Sequence, residues 1–107
     1  MNYRDDAAKV LEALGDPTRR AVFETLALGP HPVGRIAAGL PVSRPAVSQH
    51  LRVLKEAGLV RDRTDGNRRL YSVDPAGLAA LRDYLERYWD SALEAFERAA
   101  AEEGDEG

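Results

Sequence analysis

The sequence predicts a mainly helical domain with one small β-hairpin, in the order ααααββα, and three observations lead to it. Helix starts are marked by caps: Asp16-Pro17 and Asp74-Pro75 set an acceptor side chain before a proline, and Ser43 precedes a first turn containing Pro45. A capping oxygen satisfies first-turn amides, and proline fits where an amide would have no helical partner. Apolar residues then recur at helical spacing, as in Val47, Leu51 and Leu54, which share one side at about 100° per residue. Two short stretches rich in Val, Leu, Thr and Tyr flank Asp65-Gly66-Asn67, residues that tolerate the positive φ of a hairpin turn.

The first helix is expected over 4–14 and the second over 17–28, with Gly15 and Gly29 as stops. A short third helix over 33–39 has an apolar face of Val33, Ile36, Ala37 and Leu40, and Pro41 keeps it from running on. The fourth spans 44–57 and ends at Gly58; strands follow at 59–64 and 68–73, and a long last helix at 75–101. Residues 1–101 read as one domain without repeat or linker. The tail 102–107, EEGDEG, lacks an apolar anchor and is expected to be a disordered acidic segment.

Composition narrows the classes of function. With 107 residues, 44% apolar and 31% charged, the chain suits one soluble globular domain. No apolar run approaches the roughly 20 residues of a membrane span. The start, MNYRDDAAKV, has acid where a signal peptide has a basic region followed by an apolar stretch, so a cytoplasmic location is expected. Zero cysteines exclude disulfides and thiolate ligands. There is no Ser/His/Asp set, Gly-rich phosphate loop or H-E-x-x-H, so neither an enzyme nor a bound cofactor is expected.

The net charge of −3 is unevenly spread. From Arg44 to Arg69 seven basic residues face three acidic ones, whereas from Pro75 onward three basic residues face nine acidic ones. A basic block beside an acidic tail suits a nucleic-acid face next to a different working surface, although ordinary charge scatter gives the same count. The order of elements decides between them. A short helix, a tight turn, a second helix and a basic hairpin are how a winged helix-turn-helix sets one helix in the major groove of double-stranded DNA.

Residues 33–73 would be the DNA-reading core. Opposite the apolar side of the fourth helix lie Pro45, Ser48, Gln49 and Arg52, flanked by Arg44 and Lys55, with His50 near the core side. Gln pairs with adenine N6 and N7, Arg with guanine O6 and N7, and Ser with base or phosphate. Ser48, Gln49 and Arg52 are therefore expected at base edges, with Pro45 against a thymine methyl. Ser43, Arg44, Lys55 and the hairpin's Arg63, Arg68 and Arg69 are expected near phosphates.

The last helix carries a stripe of Leu78, Leu81, Leu85, Tyr88, Trp89, Ala92, Leu93 and Phe96 within about 140° of its circumference. At roughly 40 Å it exceeds what one small domain covers, so a second copy is expected against it, joined by Val10, Leu11 and Leu14 of the first helix. Tyr88 and Trp89 suit that homodimer packing or the wall of an effector pocket. A protein-interaction module working through the acidic last helix is the alternative to DNA reading.

The segment PVSRPAVSQHLRVLKEAGLVRDRTDGNRRLYSV, preceded by ALGDPTRRAVFETL, resembles the winged helix-turn-helix core of the ArsR/SmtB bacterial transcriptional repressors. The resemblance covers about residues 5–75. It implies recognition-helix positions for Arg44, Ser48, Gln49, His50 and Arg52, and wing positions for Arg68 and Arg69. It also implies a homodimer that binds an operator palindrome and releases it when a small-molecule effector binds. The metal-sensing members carry cysteines before the recognition helix, or a His/Asp/Glu set in the last helix. Here the first of these segments reads VGRIAAGL, the last helix has no histidine, and His31 and His50 stand alone, so no metal site is expected.

Overall fold

The computed structural model describes residues 3–105, with side chains from 6 to 103. Its elements are α1 (Tyr3–Leu14), α2 (Pro17–Ala27), β1 (His31–Pro32), α3 (Val33–Ala38), α4 (Arg44–Glu56), β2 (Val60–Asp65), β3 (Arg68–Val73) and α5 (Pro75–Asp105). Each helix anticipated from its cap is present. The Asp16 carboxylate accepts from the Arg19 amide at 2.9 Å, and the Ser43 hydroxyl accepts from the Ala46 amide at 3.2 Å.

Two expectations are corrected. Residues 31–32, read as loop, form a strand that turns the hairpin into a three-stranded antiparallel sheet of order β1-β3-β2. His31 pairs with Tyr71 and Pro32 with Leu70. Two residues are too few to show alternation, and a proline is tolerated because this strand lies at the sheet edge. The tail is also not disordered as far as it is described: α5 continues through Asp105. Glu102 and Glu103 are good helix formers, and extending an existing helix needs no new nucleus. Residues 106–107 lie outside the described residues.

Glycine shapes the wing. Asp65 pairs with Arg68, which leaves Gly66-Asn67 as a two-residue loop with Gly66 at φ +66. Asn67 has negative φ, so this is the type II′ arrangement, with glycine at the first central position. Gly58 closes α4 at φ +81: its amide donates to the Lys55 carbonyl and the Leu59 amide donates to the Leu54 carbonyl, both at 3.0 Å. That pair of bonds satisfies the last carbonyls of the helix and throws the chain directly into β2.

The core sits between the helices and the inner face of the sheet. Val47, Leu51 and Leu54 of α4 are fully enclosed with Val10, Ala13, Val22, Leu26, Ile36, Leu59 and Val60. The start of α5 is pinned to this body, since the Asp74 amide donates to the Leu59 carbonyl at 2.8 Å and Gly77 is buried against the Gly58 backbone. Beyond Tyr84 the picture changes. Every described residue from Leu85 to Glu103 is exposed, and the chain measures 68 × 32 × 19 Å. Its radius of gyration is 18.7 Å, where a compact chain of this length has about 13 Å.

Candidate nucleic-acid interface

The recognition surface begins with a helix fixed at both ends and on one side. Ser43 caps α4, Gly58 stops it, and Val47, Leu51 and Leu54 bury its inner face. The opposite face is therefore presented in a single rotational setting. Arg44, Pro45, Ser48, Gln49 and Arg52 are all exposed on it, as is Ser43 at its start. The structure thus gathers the residues expected at base edges onto one outward surface.

His50 lies near the core side, as its place on the helix predicts, and not on the outward surface with the other recognition-helix positions that the resemblance implies. It is half-buried with its Nδ1 enclosed and without a hydrogen-bond partner, and it lies close enough to Asp16 for its field to favour that carboxylate's charge. The Asp16 carboxyl is held below the ordinary range first by the Arg19 amide bond, with His50 a smaller contributor. His50 thus turns that nitrogen into the protomer instead of presenting it to a groove. His31 serves the sheet: its Nδ1 lies 2.6 Å from the Gly29 carbonyl oxygen, which can only accept, so this nitrogen donates.

The wing adds an ion-pair group that the sequence reading did not anticipate. In the register of β2 and β3, Asp62 lies opposite Tyr71, and Thr64 opposite Arg69, on the sheet face turned toward α4. The Asp62 carboxylate is almost enclosed, its side chain 4% exposed, and it takes the Lys55 ammonium at 2.7 Å and the Arg69 guanidinium on its other oxygen. Two cations expected at phosphates are committed to an internal carboxylate. Their hydrogen bonds, Lys55 first, hold the Asp62 carboxyl below its usual range against the opposing effect of burial, and the same contact raises Arg69. Sequence reading missed Asp62 because its partners lie seven residues away on either side, on different elements.

Arg61 and Arg63 occupy the other face of β2 and are exposed, and Arg68 at the turn stands 3.7 Å from Asp65, a loose surface contact. Near the start of α4, the Arg44 guanidinium lies over Gly34 of α3, about 3.8 Å from where a side-chain carbon would be. Among the described residues no three His, Asp or Glu side chains gather to hold a metal ion. No helix among them is long and apolar enough to cross a membrane.

Behind the reading head lies the stripe of α5. Leu11, Leu78, Leu85, Tyr88, Trp89, Ala92, Leu93 and Phe96 are exposed, Trp89 at 65% and Phe96 at 72%. Leu14 and Leu81 are half-buried against the core. Val10 leaves the set expected at a partner: it has no exposed surface and belongs to the protomer's own core. Its neighbour Leu11 points outward because one residue along a helix turns the side chain by about 100°.

A helix-turn-helix packed on a β-wing, with a polar and basic outer face on its second helix, defines a DNA-binding protein of the winged-helix class. Comparison with known proteins agrees. A helix-turn-helix domain family matches residues 14–63. The HTH-type transcriptional regulator Rv2034 of Mycobacterium tuberculosis is 58% identical over 95 residues, covering 89% of this chain and 89% of that protein. The transcriptional repressor SdpR of Bacillus subtilis is 37% identical over 65 residues, covering 61% and 72%. Among solved structures, the homodimeric winged helix-turn-helix DNA-binding domain of Mycobacterium bovis Mb0332, a possible ArsR-family regulator, superposes with a TM-score of 0.66 at 31% identity, covering 85% of this chain and 84% of that one. The chain belongs to the ArsR/SmtB family of winged helix-turn-helix transcriptional regulators.

Proposed function

We propose that the protein is a homodimeric repressor that reads an inverted-repeat operator, with Ser48, Gln49 and Arg52 at base edges and Arg44, Arg63 and Arg68 at phosphates. The observation that carries this reading is the outward face of α4, where those groups are exposed directly opposite the buried Val47, Leu51 and Leu54. A well-made bidentate contact contributes about 1–3 kcal/mol of discrimination between bases. The dimer is supported by the exposed stripe on α5, which one protomer leaves uncovered. Two heads on a two-fold axis meet successive major grooves, so half-sites about 10–11 base pairs apart are expected. Repression follows where that site overlaps a promoter. The effector is taken to be non-metal, because the chain has no cysteine and its two histidines sit on different elements, β1 and α4.

Fluorescence anisotropy with duplexes tiled across the protein's own promoter tests the reading. One inverted-repeat duplex should bind tightly and lose affinity as salt rises. Arg52→Ala should weaken that duplex more than a scrambled one while the dimer stays intact. Binding that ignores sequence would refute it.

A further inference from the structure

We propose that Asp62 limits the protein's affinity for DNA of any sequence, as a positioning residue that withholds Lys55 and Arg69 from the phosphate backbone. The inference rests on the DNA-binding reading above and adds a residue that contacts no DNA itself.

An aspartate is the one acid on the α4-facing side of β2, and its neighbours on that face are Val60 and Thr64. It is nearly enclosed, yet both cations that enclose it keep more than half of their own side-chain surface open, 55% for Lys55 and 57% for Arg69. They stand at the end of the recognition helix and near the turn of the wing, the two places from which a winged head touches the strands flanking its groove. Each of them alone would be a phosphate ligand. Held on one carboxylate, the pair plus Asp62 carries a net charge of +1 in place of +2.

Phosphate contacts supply affinity that is the same for every sequence, whereas base contacts supply the difference between sequences. Removing one unit of positive charge at the edge of the reading head therefore lowers binding to all DNA and leaves base contacts in place. The ratio between an operator and other DNA is left as it was, while the absolute affinity for both is held down. The same carboxylate links the last turn of α4 to β3, so the wing keeps its angle to the recognition helix without a bound phosphate to define it.

The test compares wild type with Asp62→Asn, which keeps shape and removes charge. Two duplexes of about 30 base pairs serve as probes: one enriched from a random pool by the wild-type protein, and a scrambled version of it. The expected result is a salt dependence steeper by about one phosphate for both duplexes. Affinity for both duplexes should rise about fivefold at 0.15 M salt, with the preference for the enriched duplex unchanged. Asp62→Glu, which restores the charge, should return the salt slope toward wild type. If Asp62→Asn does not fold, Asp62→Ser is read in the same way. A folded variant with unchanged salt slope and affinity overturns the proposal, and so does one that binds either duplex more weakly or gains affinity for only one of them. A wild type that never discriminates between duplexes refutes the DNA-reading function itself, a different failure from a discriminating wild type whose variant keeps its salt slope.

Discussion

The recognition helix α4 and the last helix α5 are both amphipathic, yet the chain treats them in opposite ways. All three apolar residues on the inner side of α4 are buried within the protomer, so its polar face is held in one orientation. The stripe of α5 is covered only near its start, where Gly77 and Leu81 meet the body, and runs exposed from Leu85 to Phe96. The difference teaches where each half of the function is completed. A reader of base edges must be rigid in the isolated chain, because a rotation of one residue would present other side chains. A dimerisation helix is finished only by a second copy.

That contrast can be broken most severely at Leu51. Leu51→Ala removes a side chain packed on all sides and should cost about 2–5 kcal/mol in urea unfolding. A loss below about 1 kcal/mol would mean that α4 is not fixed within the chain. Next comes Trp89→Glu on the exposed stripe. It should leave the circular dichroism of the protomer largely intact while weakening the dimer by about a hundredfold, as sedimentation velocity would show. Retention of the dimer would move the interface elsewhere.

Gly77→Ala probes the point where the two helices are joined. A side-chain carbon there would lie 2.3 Å from the Gly58 carbonyl oxygen, which belongs to the cap of α4 and cannot step aside. Thermal unfolding should show a loss of about 1–3 kcal/mol. The smallest effect concerns Asp62. Its carboxyl is lowered in the folded protein, so the ionised form contributes stability above the unfolded value near pH 4, and that contribution disappears as pH falls through the lowered folded value. Comparing urea midpoints at pH 6 and pH 3, Asp62→Asn should remove about 1 kcal/mol of the wild-type difference, small because both cations are half open to water.

Local chemistry was the legible part of the fold. The Asp16, Ser43 and Asp74 caps and the turn at Gly66 each act within a few residues, and each element they announce is present. The α4 face was legible for the same reason, since a 3.6-residue period needs no partner to be recognised. What escaped reading depends on distant partners. His31-Pro32 becomes a strand only because Tyr71 and Leu70 arrive beside it. Val10 and Leu11 share the pattern of a helix face, and only the packed helices show which of the two is covered.

By itself, the sequence determined the order of the helices and the hairpin, the outward face of α4 and the length of apolar stripe left uncovered, because capping, periodicity and charge are properties of neighbouring residues. Tertiary structure alone decided which cations are drawn onto a shared carboxylate. Lys55 and Arg69 look identical to Arg44 and Arg68 along the chain; the register of β2 against β3 and the end of α4 bring them onto one buried carboxylate. The physical reason is that charge is paired by distance in space, and that distance exists only after the chain has folded.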